Sequence, residues 1–314
     1  MHAQEGGVRI PSPPELSIVV PCYNEQAGLP ALWERLRSVC DAADVMFEIL
    51  FIDDGSRDGT AGVIRELAAE HPVVRGVLLS RNFGHQAAVS AGYDHARGQA
   101  VLVMDADLQH PPDLIPEFLR QWRDGYEVIY AYRRNVRPRL GYRVHNWLCK
   151  VTIPHEAADF RLLDRKVVDA LRQMPERNRF VRGQVAWLGF RQTGIPYHQG
   201  HRQSGQATYT WRKRIHLQID SVFSFSTVPL RISVCLGLLT LGIGLIYALY
   251  ILGVLVFHGR EGVVSGWPAL IITVLILGGV QLICLGMVAE YVGRIYDEVK
   301  QRPLYVVREL AGND

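Results

Sequence analysis

The stretch VLVMDADLQHPPDLIP, residues 101–116, sets two carboxylates, Asp105 and Asp107, one residue apart at the end of an apolar run. Pro111 and Pro112 then stop a strand from continuing. Residues two apart on a strand face the same side, so both carboxylates reach one small volume. Two hard oxygen donors with an open approach suit Mg2+ or Mn2+, held partly by phosphate groups of a bound molecule. Gln109 and His110 follow directly, where they can contact the same ligand. The alternative is a solvated strand-to-loop junction, and a lone Asp-x-Asp does not decide between the two.

Two upstream clusters tip the balance. Asp53 and Asp54 end the apolar run FEILFID, followed by Gly55-Ser56 and Asp58-Gly59-Thr60. Asp58 is read as a turn or helix-cap residue as readily as a ligand contact. Asp53 continues a fully apolar strand, where a charge needs a specific partner. Earlier still, LSIVVPCYNE places Pro21, Tyr23 and Glu25 at a third strand end.

The elements that must position these clusters follow from the pattern between residues 16 and 108. Short β-rich runs alternate with helical stretches such as GLPALWERLRSVCDAA and GTAGVIRELAAEH. Continuous apolar strands, rather than alternating ones, imply a mainly parallel sheet covered on both faces, an α/β fold. Ligands in such folds collect beyond the carboxyl ends of the strands, where all three clusters lie. A dinucleotide-binding site would need Gly-x-Gly-x-x-Gly after the first strand, and a P-loop its lysine motif; neither is present.

Composition narrows the rest. In the 314-residue chain a net charge of +3 argues against nucleic acid as the main partner. Five cysteines without a Cys-x-x-Cys pair suit reduced thiols rather than disulfides or zinc, and His85, His110 and His201 lack ligand spacing. Residues 232–257 and 262–289 contain no Asp, Glu, Lys or Arg. Each run exceeds the roughly 20 residues a helix needs to cross a bilayer core. They are read as two transmembrane helices, about 232–257 and 267–291, joined as a hairpin; a pair of buried soluble helices is the alternative. Arg212, Lys213, Arg214 and Arg231 precede the hairpin, and Arg294, Lys300, Arg302 and Arg308 follow it, while its linker offers only Arg260 beside Glu261. The positive-inside rule then places the N-terminal domain and both termini in the cytoplasm, on a multi-pass protein of the inner membrane. Residues 1–15 are read as a disordered lead-in, 16–200 as the soluble domain, 201–230 as interfacial helices, and 293–314 as a cytoplasmic tail.

The motifs SIVVPCYNE, FEILFIDDGSRDGT, LSRNFGHQAAVSAGYDHARG, VLVMDADLQHPP and DFRLLDRKVVDAL resemble the family 2 glycosyltransferases of GT-A fold. They are most similar to the membrane-bound polyprenyl-phosphate group, which includes dolichol-phosphate mannose synthases and GtrB-type bactoprenol glucosyltransferases. The resemblance covers roughly residues 15–310. It implies inverting transfer of a hexose from a nucleotide-sugar, UDP-glucose or a related donor, to a polyprenyl phosphate, for glycan or envelope assembly. A GDP-mannose-dependent enzyme is the alternative donor reading, and an inert membrane scaffold of the same fold the non-enzymatic one. A processive polysaccharide synthase would carry a Gln-x-x-Arg-Trp motif, which is not found here.

By the same resemblance, Pro21, Tyr23, Glu25, Asp53 and Asp54 line the nucleotide-sugar pocket. Asp105 and Asp107 bind the metal, with Gln109 beside them. Arg133 faces the acceptor phosphate, and Arg202 in HRQSGQATY reaches the donor phosphates from a mobile loop. A homotetramer occurs in similar proteins. Asp159 in ADFRLLDR reads either as catalytic or as charge-paired. Arg177, Arg179 and Arg182 with Trp187 read either as an anion-binding surface or as a solvated basic face over a core tryptophan.

Overall fold

The computed structural model describes residues 13–133, 157–174, 176–177, 179–197, 228–258 and 266–312. They form two compact units, a sheet-based unit that includes the C-terminal residues from Pro303, and a helical unit. In the first unit the strands are β1 (Leu16–Cys22), β2 (Phe47–Asp53), β3 (Val74–Leu79), β4 (Ala100–Val103), β5 (Val128–Arg133), β6 (Ala157–Asp164), β7 (Gln192–Tyr197) and β8 (Val307–Ala311). Between them run α1 (Leu29–Ala42), α2 (Thr60–Glu70), α3 (His85–His95), α4 (Ile115–Arg123), α5 (Arg165–Arg172) and α6 (Val181–Leu188). The sheet order is β7-β5-β6-β4-β1-β2-β3-β8.

The central four strands are parallel, as their apolar runs predict. Antiparallel strands flank them, β6 beside β4 and β8 beside β3. Alternation sorts the core into two layers. Ile18, Val20 and Phe51 face Leu32 and Leu36 of α1, Ile64 of α2 and Phe118 of α4. Val19, Leu50 and Ile52 face Val89 of α3, Val167 and Val168 of α5 and Val185 of α6. Each such fully buried side chain contributes about 1.5–3 kcal/mol. Helix α3 lies so close to β1 that a Cβ at Gly92 would overlap the Val19 side chain.

At the amino ends of the strands a buried charge network closes the sheet. Glu48 Oε1 accepts from Ser17 Oγ–H (2.5 Å) and from the Arg97 N–H (2.7 Å), and Oε2 accepts from Arg75 (3.1 Å). Pro14 and Glu15, the end of the stretch read as a lead-in, already hold the sheet. Their carbonyls accept from Gln99 N–H (3.1 Å) and Ala100 N–H (2.9 Å). The tail likewise contains more structure than its sequence announces. β8 covers the β3 edge, Glu309 takes two hydrogen bonds from Arg65 (2.8 and 2.9 Å), and Tyr305 donates to Asp94 (2.7 Å).

The second unit contains α7 (Val228–His258) and α8 (Trp267–Val299). Among the described residues, Ile276–Val299 is long and apolar enough to cross a membrane, and Ile232–Tyr247 is a shorter apolar stretch. The uncharged run ends at Ala289, yet α8 continues to Val299, with Glu290 paired to Arg294 at 2.8 Å. Large apolar side chains on both helices face outward, Ile246 and Leu282 each 71% exposed. Of the stretch read as interfacial helices, residues 201–230, the part 201–227 lies outside the described residues, and 228–230 already belong to α7.

Candidate active site

Because β4, β1 and β2 are neighbours, their carboxyl ends open onto one edge of the sheet, and the three polar clusters meet there. Cys22 pairs with Asp53 in register, and Val19 with Val103, so Asp105 lies two residues beyond the last β4 pair. Backbone-to-side-chain bonds lace the first two loops together. Asn24 Oδ1 accepts from Arg57 N–H (2.8 Å), Ser56 Oγ accepts from Asn24 N–H (2.9 Å), and Thr60 Oγ1 accepts from Glu25 N–H (2.9 Å). Asn24 adopts a left-handed backbone, φ 57°, which asparagine tolerates better than most residues. Gly55 is also left-handed, φ 66°, and packs against the Arg81 and Asn82 backbone where no side chain fits. Tyr23 stands out from this double loop, 42% exposed.

The two carboxylates of the second cluster serve different ends. Asp53 is buried and caps its own loop, accepting from Ser56 N–H at 3.1 Å. Asp54 is buried too, and accepts from Phe83 N–H (2.7 Å) and Gly84 N–H (2.9 Å). Burial raises the Asp54 carboxyl, and those two donors offset only part of the rise. In this position Asp54 holds the entry to α3, where Gly84 turns with φ 98°. Asp58 accepts from Thr60 N–H (3.0 Å) at the start of α2, the cap-like role. Cys22, between the loops, is raised well above the ordinary thiol range by burial, then by the charges of Asp53 and Glu25, so it stays protonated.

Asp105 and Asp107 are partly exposed at the mouth of β4. Gln109 N–H donates to Asp107 Oδ1 at 3.1 Å across a tight turn, in which Leu108 is left-handed with φ 58°. His85, on the first turn of α3, stands between two carboxylates, 3.9 Å from Asp105 and 3.7 Å from Asp159. Asp159 is gripped by Arg182 through two bonds of 2.7 and 2.6 Å, with Arg161 at 3.7 Å. Burial pushes the Asp159 carboxyl up, but the Arg182 charge and hydrogen bonds outweigh it and hold the group well below the usual range.

Asp159 is thus charge-paired, and its partner is one of the three arginines from the basic segment. Arg179 binds the Met174 carbonyl at 3.1 Å. Trp187 is not a core residue: it is 63% exposed, because its place on α6 faces away from the sheet that Val181 and Val185 cover. His85 is the neighbour that sequence spacing missed. It reaches Asp105 and Asp159 only because α3 docks across β1 and β2, and no local signal carries that. Arg133 closes β5 opposite Tyr197, with its side chain outside the described residues, and Arg202 lies outside them altogether.

Asp105 and Asp107 would suit a hard divalent cation that takes its other ligands from elsewhere. Among the described residues no group of three or more His, Cys, Asp or Glu converges as a ready metal cage. Two aspartates alone leave most positions of a Mg2+ or Mn2+ shell to phosphate oxygens and water, which is how such ions prefer to bind.

Residues 17–174 match the family model described as glycosyl transferase family 2. The chain is 40% identical over 307 residues to an uncharacterised glycosyltransferase, YkcC, of Bacillus subtilis (strain 168), covering 95% of this chain and 94% of that one. It is 37% identical over 305 residues to an SfII prophage-derived bactoprenol glucosyl transferase of Shigella flexneri, covering 94% and 98%. Among solved structures, a Pyrobaculum calidifontis mannosyltransferase in complex with GDP-Man and Mn2+ aligns over 68% of this chain and 64% of its own, at 20% identity and a TM-score of 0.49.

Proposed function

The chain belongs to glycosyl transferase family 2, and from that membership we propose that it moves a hexose, with inversion, from a nucleotide-sugar to a polyprenyl phosphate at the cytoplasmic face of a membrane. UDP-glucose or a related UDP-sugar is the donor in this reading. The product is a polyprenyl-phosphate-sugar for glycan or envelope assembly. One observation carries the proposal: Asp105 and Asp107 emerge together at the open end of β4, beside the laced loops of β1 and β2. Similarity to a protein named bactoprenol glucosyl transferase over 94% of the chain supports the lipid acceptor.

The chemistry asks little of a protein base. A lipid phosphate is anionic at neutral pH, so the nucleophile needs no deprotonation. The barrier lies in the negative charge that develops on the leaving nucleoside diphosphate. Asp105 and Asp107 would hold Mg2+ or Mn2+ against that diphosphate, and the bound cation would supply the neutralising charge. Tyr23, Glu25 and Asp53 line the side on which the nucleoside would sit, and Asp54 keeps the α3 entry in place behind them. Arg133 and Arg202 remain the proposed contacts for acceptor and donor phosphates.

The helical unit supports attachment to the membrane that contains the acceptor. Ile276–Val299 meets the length and composition of a span. The 31 residues of α7 make a second span part of the proposal, with both chain ends cytoplasmic. A homotetramer in the membrane completes it.

The test uses purified full-length protein with labelled UDP- and GDP-sugars, Mn2+ or Mg2+, and undecaprenyl phosphate. The proposal expects label from one UDP-hexose in the organic phase. Label from GDP-mannose alone would replace the donor with the mannose alternative. Donor binding without any lipid product under all conditions would leave the scaffold reading.

A further inference from the structure

His110 lies three residues beyond Asp107, yet it does not face the ligand side of the turn. Its ring is buried, 4% exposed, and stacks on Phe160 at 4.9 Å and 10° between planes, with Tyr197 edge-on at 6.1 Å. The strand ladder explains what it does there. Just past β4, Met104 N–H still reaches a strand carbonyl, that of Val19, at 3.1 Å. The next donor, Asp105 N–H, is taken by His110 Nδ1 at 3.1 Å. A ring nitrogen that accepts must keep its lone pair, so the ring proton sits on Nε2. Asp105 Oδ2 is 3.6 Å from the same nitrogen, beyond hydrogen-bonding distance. The imidazole therefore grips the backbone of Asp105, with one carboxylate oxygen of the same residue close by at 3.6 Å.

The rest of the turn is closed in the same manner. Gln109 N–H binds Asp107 Oδ1, and Leu108 holds a left-handed conformation that a leucine keeps only when its surroundings impose it. We propose that His110 is a positioning residue for the cation site: its Nδ1 fixes the Asp105 backbone, so the two carboxylates share one orientation before cation and diphosphate arrive. The inference rests on the proposed role of Asp105 and Asp107, and its physical basis is general. Groups that orient metal ligands typically change affinity by about 10- to 100-fold when removed.

The experiment measures Mn2+ affinity of the full-length protein by the electron paramagnetic resonance signal of free aqueous Mn2+, with UDP or GDP present in separate arms. His110→Asn places an amide oxygen near the position of Nδ1, and His110→Gln places one further out. His110→Phe keeps an aromatic stack and removes the acceptor. The expected pattern is near-wild-type affinity for Asn, and about 10- to 100-fold weaker binding for Gln and Phe. Wild-type affinity in Gln and Phe overturns the inference, as does equal weakening in all three. If Gln and Phe fail to fold by thermal melting, Asn decides alone: affinity within about threefold of wild type supports the role, and any larger loss overturns it. Asp107→Asn is the control that separates the two levels. Undiminished Mn2+ binding there, or no binding by the wild type with either nucleotide, removes the cation-site reading itself, and the positioning role with it.

Discussion

At the amino ends of the central strands, Glu48 and Arg75 are 5% and 9% exposed and bind each other, Ser17, the His95 carbonyl and the Arg97 N–H. At the carboxyl ends of the same sheet, the Asp105 side chain is 39% exposed, and the protein grips the backbone around it more firmly than its charge. Under the proposed function, the difference separates structural from functional charge within one set of strands. A carboxylate whose oxygens are used up by protein donors stabilises the fold. One whose loop is fixed while its face stays open is set for a ligand. Asp159 lies between these cases, paired by Arg182 but 3.7 Å from the same His85 that approaches Asp105.

The largest effect that sharpens this contrast belongs to Asp107→Ala. Lipid-dependent sugar transfer should fall at least about 100-fold, the scale for losing one element of leaving-group stabilisation. Thermal melting should shift by no more than about 2 °C, since little packing is lost. Glu48→Ala should do the reverse. It leaves Arg75 buried without its carboxylate, which costs about 3–5 kcal/mol and lowers the melting midpoint by about 10 °C. Turnover per folded molecule should be retained, and a turnover loss matching that of Asp107→Ala would break the distinction between the two ends.

Arg182→Met probes the intermediate case with a smaller effect, about 2 kcal/mol at neutral pH from the lost charged hydrogen bonds. The folded-state Asp159 carboxyl lies below its ordinary value of 3.8, so its stabilising contribution is complete above that pH and declines as pH falls below it. In the variant, burial without the arginine favours the protonated acid instead. The stability gap between wild type and Arg182→Met, read by melting, should therefore be widest near pH 7 and shrink below about pH 4. A gap independent of pH would assign Arg182 a role in packing alone.

The part of this contrast that was legible in the sequence is the part encoded locally. VLVMDAD and FEILFIDD show apolar strands that end in carboxylates, and parallel packing puts those ends side by side. The division of labour between Asp53 and Asp54 was not legible, because Asp54 spends its oxygens on Phe83 and Gly84, some thirty residues away. The antiparallel strand β8 was hidden for a similar reason. VRELA is short, and it becomes a strand only against the β3 edge. His110 read as a ligand contact from its place beside Gln109, whereas its ring turns inward onto Phe160. Side-chain direction after a turn depends on φ at Leu108, which no residue type announces. Trp187 was the opposite error in one of its two readings, an aromatic assigned to the core that the α6 register leaves outside.

The most direct test of the central claim is nucleoside diphosphate release from the matching nucleotide-sugar by the purified full-length protein, followed with and without polyprenyl phosphate and with Mn2+ added or chelated. The account predicts release only when lipid and cation are both present, lost in Asp107→Ala and kept by folded Glu48→Ala. Release of the same size from Asp107→Ala, or in the presence of chelator, would contradict the assignment of the β4 carboxylates as the site of transfer.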